Sequence, residues 1–357
     1  MVSRVINRTK FVEGANPLLS YARKEETVVV EDGITSIYHK AFSGCYTIKK
    51  VVLPDSVSSI GDYAFRDCMG LEEIVIPDSV THIGQYAFCG CESLKRVKMS
   101  EQIEELDLCW FMRCLNLETI HIGKNIKNIW ARNIFTFWPN FKGFTIDEEN
   151  EDFAIIDGNL FSTKENELIF YLGTKKGETE YEIPSFVTTI RPSAFKRCNK
   201  LKKLILSKKL KNGIAYTAFA MNLETIELNG NKNFILEDGI LYDKKREKLL
   251  RVLSNIKTYQ TSETVKKICR NAFFHSNVEE IIFTDNVTTI EERAICGCEN
   301  IKKIVIPASV KKIESFAIWC CDNATIYCYR GTAADEYAKE DEGGDISSIK
   351  YKKEYLE

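Results

Sequence analysis

Residues 61–68 read GDYAFRDC, and 23 residues later residues 84–91 read GQYAFCGC. The Ala-Phe pair recurs at that interval, at Ala41-Phe42, Ala64-Phe65 and Ala87-Phe88, then as Trp110-Phe111. The register blurs at Ile134-Phe135 and returns at Ala194-Phe195, Ala218-Phe219, Ala272-Phe273, Ala294-Ile295 and Ala317-Ile318. Cys45, Cys68, Cys91 and Cys114 keep the same step, as do Cys298 and Cys321. Pro54 and Pro77 repeat inside LPDSV and IPDSV, and IPASV follows around Pro307. Several positions recurring together mark a chain built from stacked turns, in which one turn cannot bury its own apolar face and its neighbours must cover it.

One unit shows how a turn is made. In LEEIVIP (71–77), Leu71, Ile74 and Ile76 have the spacing of a solenoid strand, and Ile74 and Ile76 alternate with Glu73 and Val75 as a strand with one buried face requires. Pro77 cannot donate to the next ladder bond and stops the strand. DSVTHIG then turns the chain, with Val80 and Ile83 inward and Gly84 read as the residue that allows a tight bend. QYAFCGC reads as a short helical or 3-10 turn. Stacking sets each Phe on the Phe of the preceding turn, near the strand spacing of ~4.7–4.9 Å. Equivalent cysteines then point in parallel, one strand spacing apart, whereas a disulfide needs Cβ atoms ~3.8 Å apart and tilted together. Buried free thiols are expected along this ladder.

IPDSVTHIGQYAFCGCESLKRVKM (76–99) resembles the BspA-type leucine-rich repeat, and the resemblance covers roughly residues 28–330. It implies a repeat solenoid of leucine-rich-repeat type, with short parallel β-strands on a concave face and short helical or 3-10 turns elsewhere. FAIIDGNLFSTKENELIFYL (153–172) and FILEDGILYDKKREKLLRVL (234–253) resemble β-hairpin inserts of that family. Read from their residues, Asp157-Gly158 and Asp238-Gly239 are hairpin turn signals, and each insert is expected to continue the core. TIYCYRGTAADEYAKE (325–340) resembles the family's terminal cap, with Ala333, Ala334, Tyr337 and Ala338 on one helical face. The expected division is an N-terminal cap (1–27), repeats (28–143), an insert (144–183), repeats (184–228), an insert (229–268), repeats (269–329) and a C-terminal cap (330–357). The segment NIWARNIFTFWPNFKGF (128–144) lacks the Cys and carries Trp130, Trp138 and four Phe; it reads as an aromatic plug in a wider core, with a hydrophobic docking site as the alternative.

Composition narrows function. The 357 residues carry 49 Lys+Arg against 51 Asp+Glu, a net charge of -2, interspersed along the chain, so no nucleic-acid or anionic-membrane surface is implied. No apolar run approaches the ~20 residues of a membrane span, and the N-terminus lacks the apolar region of a secretory signal. Thirteen cysteines, an odd number in a long chain, do not read as a disulfide framework and fit a reducing, cytoplasmic setting, with a cell-surface or secreted location as the alternative the family implies.

No catalytic motif is present. His39, His82, His121 and His275 lie outside any G-x-S-x-G, H-E-x-x-H or P-loop context. Cys114 with His121 is a conceivable pair, but Cys114 falls in the buried ladder. The C-x-C pairs Cys89/Cys91 and Cys296/Cys298, and the adjacent Cys320-Cys321, lack the usual zinc spacing. No metal, cofactor or enzymatic activity is therefore expected. Sequons at Asn7, Asn286 and Asn323 matter only in a glycosylating compartment. What remains is the concave face, where the strand register presents Lys50, Val52, Glu73, Val75, Arg96, Lys98, Thr119 and His121, then Thr145, Lys203, Ile205, Thr225, Glu227, Glu280, Ile282, Lys303 and Val305. Aliphatics mixed with charges of both signs suit a protein or glycoprotein partner better than a phosphate polymer. The resemblance implies roles in adhesion or host interaction for surface members. The alternative is a structural, self-assembling scaffold; a competent cap argues for a monomer or a closed dimer.

Overall fold

The repeat predicts short parallel strands bonded turn to turn, and the computed structural model contains them. It describes residues 4–6, 26–130, 138–173, 179–192, 194–195, 198, 200–220, 222–253, 256–340 and 352–356. Residues 7–25 of the expected N-terminal cap, 341–351 of the C-terminal cap, the Ile134-Phe135 register, Phe137 and the side chains of Ala218-Phe219 lie outside the described residues. The chain forms two compact units, residues 1–172 and 173–357.

In the first unit seven parallel strands follow one another: Arg4–Ile6, Thr27–Val30, Lys50–Val52, Glu73–Val75, Arg96–Lys98, Thr119–Ile122 and Gly143–Ile146. A second ladder of two-residue strands, Ser36–Ile37, Ser59–Ile60 and His82–Ile83, runs alongside. Phe42, Phe65, Phe88 and Phe111 are fully buried and stack face to face, with centroids 5.1, 5.4 and 5.8 Å apart. Each ladder cysteine adds a bond. The thiols of Cys68, Cys91 and Cys114 donate to the carbonyls of Phe42, Phe65 and Phe88 in the preceding turn, at 3.1, 3.1 and 3.2 Å. The position therefore wants a small residue that carries a donor, which Cys supplies without the desolvation cost of a hydroxyl or amide. Trp138 explains why the aromatic segment dispenses with Cys: it is fully buried, and its indole Nε1–H donates 2.8 Å to the Phe111 carbonyl. Trp138, Phe141 and Phe144 fill the core here, joined by Phe170 of the hairpin (Trp138–Phe170 6.2 Å). Trp130 does not belong to this plug; it is 38% exposed.

The hairpin of the first unit pairs Phe153–Ile156 with Asn159–Ser162 and Glu167–Phe170 in antiparallel fashion. Asp157 (φ 50°) and Gly158 (φ 79°) are both left-handed, the conformation a two-residue hairpin turn requires. Phe153, Leu160 and Ile169 join the core of the unit.

The bend of each turn differs from the sequence expectation. Gly84 is not left-handed; the left-handed residues are Lys40, Tyr63 and Tyr86, immediately before the small Ala, and Gly44, Asp67, Gly90 and Arg113, immediately before the Cys. Gly61 and Gly84 serve close approach instead. A Cβ on Gly61 would meet the backbone N of His39 at 2.7 Å, and one on Gly84 would come closer still to the N of Asp62. The 3-10 geometry appears at Leu108–Phe111 and Ile214–Phe219, while turns such as 38–45 are closed by single i to i+3 bonds.

The second unit repeats the plan. Glu180–Glu182, Lys203–Ile205 and Thr225–Glu227 form one parallel ladder. Thr258–Gln260, Glu280–Ile282, Lys303–Val305, Thr325–Cys328 and Lys352–Tyr355 form another. The hairpin Phe234–Glu237, Ile240–Asp243 and Lys248–Val252 turns at Asp238-Gly239 and passes into the parallel strands Lys267–Ile268, Thr289–Ile290 and Lys312–Ile313. Its last strand carries Arg251 into the core, where Nη1 donates to the carbonyls of Asn271 (3.3 Å) and Phe274 (2.9 Å) and burial lowers its pKa to about 10. Within this unit Phe273 holds the buried ring position, with Ile295 and Ile318 in the equivalent places.

In the helix Ala333–Glu340, Ala334 is buried and the Tyr337 hydroxyl donates to the Ile318 carbonyl at 3.1 Å. Thr332 caps its N-terminus. Asp335, 2% exposed, accepts bonds from the Gly331 N–H (3.0 Å), Lys353 Nζ (3.1 Å) and the Tyr355 hydroxyl (3.1 Å). That buried carboxylate fastens the strand Lys352–Tyr355, which falls within the expected C-terminal cap and has no signature of its own in the sequence.

Two outcomes follow from this packing. None of the 13 cysteines is held in a disulfide and Cys320 alone among them is exposed, so thiol titration should count one reactive group in the native protein and 13 after denaturation. Cys320 is also left-handed, at φ 50°, so Cys320→Gly should remove the native signal and leave stability unchanged or raised by about 1 kcal/mol in urea unfolding. Asp335→Ala removes the buried acceptor of three hydrogen bonds, from the Gly331 N–H, Lys353 Nζ and the Tyr355 hydroxyl, and should lower stability by about 2 kcal/mol in the same measurement.

Candidate functional site

The three-residue strands of the ladders alternate, the middle side chain inward and the flanking two outward; in Glu180–Glu182 the middle residue, Tyr181, is half-buried. Val51, Ile74, Val97 and Ile120 are buried in the first unit, and Leu204, Ile226, Ile281 and Ile304 in the second. The parallel register then lines up the outward residues in columns. The first column of the first unit is Thr27, Lys50, Glu73, Arg96 and Thr119. The second runs through Val29 and Val52, then Val75 and Lys98, then His121 and Thr145. Lys50, Val52, Glu73, Val75, Arg96, Lys98, His121 and Thr145 are exposed and Thr119 is half-buried.

The second unit has the same two columns. Lys203 and Thr225 share one, Ile205 and Glu227 the other. Further along, Glu280 and Lys303 precede Ile282 and Val305. Thr225 and Glu227 are exposed; Lys203, Ile205, Glu280, Ile282, Lys303 and Val305 are half-buried. Tyr327 and Gln260 extend the second column. Sequence reasoning missed Tyr327 because the last repeat is one residue short (Lys303 pairs with Thr325) and the register slips.

The first column pairs opposite charges. Arg96 lies 3.9 Å from Glu73, Lys203 lies 3.3 Å from Glu180 and Lys303 lies 2.7 Å from Glu280, and Lys203 also reaches across to Glu227 of the second column at 2.9 Å. The carboxylate hydrogen bonds raise the pKa of the Lys203 ammonium, Glu227 first and then Glu180, and Glu280 does the same for Lys303. These pairs are solvated and add little to stability; their effect is to fix where each charge stands. A shallow depression of about 260 Å³ opens between Lys49, Lys50, Glu72, Glu73, Lys95 and Arg96. Beside it, Val52 (40% exposed) and Val75 (56%) form an aliphatic strip. Lys98 ends the strip, and beyond it His121 has its Nδ1 2.9 Å from Thr145 Oγ1.

Little here can do covalent chemistry. Cys114 is buried while His121 is exposed, and burial pushes the Cys114 thiol well above its ordinary value, so the two do not form a nucleophile and base. Among the described residues no group of three His, Cys, Asp or Glu could hold a metal ion, and no helix is long and apolar enough to cross a membrane.

The comparisons with known proteins agree with this architecture. A family model described as the BspA type leucine rich repeat region, in 6 copies, matches residues 19–164, 171–244 and 246–331. No curated protein matches the sequence. Among solved structures, the pneumococcal vaccine antigen PcpA is 21% identical over 93% of this chain and 79% of that one, with a TM-score of 0.55. A leucine rich cell surface protein from Faecalibacterium prausnitzii A2-165 is 20% identical over 96% and 92%, with a TM-score of 0.54. A leucine-rich repeat protein from Eubacterium ventriosum ATCC 27560 is 20% identical over 87% and 74%, also at 0.54. At these identities the solved structures speak for the fold alone, whereas the six matched copies span most of the sequence, and the chain belongs to the BspA-type leucine-rich repeat family.

Proposed function

We propose that the outward strand face of the repeats is a non-enzymatic recognition surface for a protein or glycoprotein partner. The observation that carries this reading is the aliphatic strip Val52–Val75, exposed in the middle of ordered, alternating charges. An apolar centre inside a polar rim is how protein interfaces are built, and repeat families use such extended faces for partners. The family as a whole is an interaction and surface-adhesion module and is generally without catalysis, which supports the same conclusion. One relative is described as a cell surface protein; carried to this chain, that favours an adhesive role. A self-assembling scaffold is the second reading. The strand Lys352–Tyr355, of sequence KKEY, is the outermost described strand of its sheet, and charged edge strands resist edge-to-edge pairing, which favours a monomer.

The test is an unbiased pull-down with two double variants, Val52→Glu with Val75→Glu and Arg96→Glu with Lys98→Glu. Each should weaken retention of the partner at least tenfold, about 1.4 kcal/mol, with the melting temperature unchanged. A partner retained equally by both variants places recognition elsewhere. Sedimentation velocity should give a monomer at all concentrations; concentration-dependent filaments would favour the scaffold.

A further inference from the structure

We infer that the strand face of the first unit takes an acidic protein segment of one pattern, two carboxylates flanking an apolar side chain. This rests on the recognition reading above and adds to it the chemistry of the partner.

The two units share a strand-face plan and differ in how their cations are used. In the second unit Lys203 stands 3.3 Å from Glu180 and 2.9 Å from Glu227, and Lys303 stands 2.7 Å from Glu280. Both lysines are half-buried. In the first unit Lys50 and Lys98 are exposed and have no carboxylate partner among the described residues. Arg96 is held only at 3.9 Å from Glu73, with its side chain 73% exposed. The flanking charges are already matched, Lys49 with Glu26 at 2.8 Å and Lys142 with Glu118 at 2.7 Å. Across the three strands from Lys50 to Lys98, then, Lys50, Arg96 and Lys98 face outward against the single carboxylate of Glu73. The excess is positive and its complement is acidic.

The placement of that excess sets a spacing. Lys50 and Val52 lie two residues apart on one strand, Glu73 and Val75 on the next, Arg96 and Lys98 on the third. With strands about 4.8 Å apart and same-face residues about 6.6 Å apart along a strand, Lys50 and Lys98 stand about 12 Å from each other across the face. Val75, 56% exposed, lies beside this diagonal, next to Val52. In an extended segment residues i and i+4 share a face and span about 13 Å, with i+2 between them. Carboxylates at i and i+4 therefore meet Lys50 at one end and Arg96 with Lys98 at the other, while an apolar side chain at i+2 covers the valines.

Glu72 and Glu73 select against other anions. They occupy the turn between the two cationic turns, in the depression that Lys49, Lys50, Lys95 and Arg96 also line. A phosphate polymer or an anionic bilayer carries charge at every step and meets those carboxylates midway. A segment whose charges are parted by an apolar residue does not. The valines supply the desolvated centre that charge alone lacks.

The probe is a fluorescein-labelled peptide in which two Glu flank a central Leu, with Gly between and around them, titrated by anisotropy into the full chain, with melting curves for every variant. Saturable binding is expected. It should weaken at least tenfold when both Glu of the peptide become Gln, and at least threefold when its Leu becomes Gly. Lys50→Gln together with Lys98→Gln should weaken it at least tenfold, and Glu73→Gln should strengthen it at least twofold. Lys209→Gln, an exposed lysine of the second unit, should leave it unchanged. Absence of saturable binding, equal affinity for the Gln peptide, or indifference to the Lys50 and Lys98 double variant overturns the proposal. Polyphosphate competing as well as the peptide, charge for charge, would make this a general anion surface and overturn the segment assignment. The pull-down separates this inference from the reading it rests on. A partner lost with the valine variant yet retained by Lys50→Gln with Lys98→Gln keeps the recognition face and removes the acidic assignment; a partner retained by both removes the face itself.

Discussion

Everything in this chain depends on the contact one turn makes with the turn before it. Phe lies on Phe at 5.1 to 5.8 Å, and beside that column each thiol reaches back to the previous Phe carbonyl. Ring stacking alone permits sliding along the stack, because aromatic faces have shallow lateral preferences. The thiol hydrogen bond and the two flanking strand ladders have no such tolerance, and they hold the register. That register is what turns one outward residue per strand into a column, and hence a sequence period into a surface.

The choice of cysteine follows from the same contact. The position is enclosed, so a larger or more polar donor would clash or leave lone pairs unsatisfied. Burial raises the Cys68 and Cys91 thiols well above the ordinary value, which keeps them protonated and donating. Where the core widens, Trp138 performs the same donation with a longer reach. Cysteine chemistry and the aromatic segment, which look unrelated in the sequence, are two solutions to one unsatisfied carbonyl.

The parts of the fold visible in the sequence were those with a periodic signature. The 23-residue step gave the strands and the stack, and Asp157-Gly158 and Asp238-Gly239 gave the hairpins, because each residue pattern admits few backbone alternatives. The strand-face positions followed from strand alternation. The left-handed residues were hidden, since Tyr63, Tyr86 and Arg293 give no local hint of that conformation, which they adopt at the bend before the small Ala. Gly84 misled for the converse reason: its missing side chain answers a neighbour's backbone and not its own torsion. The strand Lys352–Tyr355 was also illegible, as its place depends on a carboxylate, Asp335, that becomes informative only once seen buried. Asp107 carried a signal in plain view, the loss of Gly at a repeating position, whose meaning needed the interturn distance.

The short ladder Ser36–Ile37, Ser59–Ile60 and His82–Ile83 ends before Glu105–Asp107, which pairs only onward with Asn128–Trp130, and this seam has a mechanical meaning. Adjacent coils are joined by rows of backbone bonds that share any load applied along the stacking direction. Between the coils of Gly84 and Asp107 the bonds of Glu104 to Thr81, Asp107 to Ile83 and Tyr86 to Leu108 are not made, so the remaining ones carry proportionally more. Tension on the first unit would therefore concentrate there, giving the molecule a yield point fixed by one side chain.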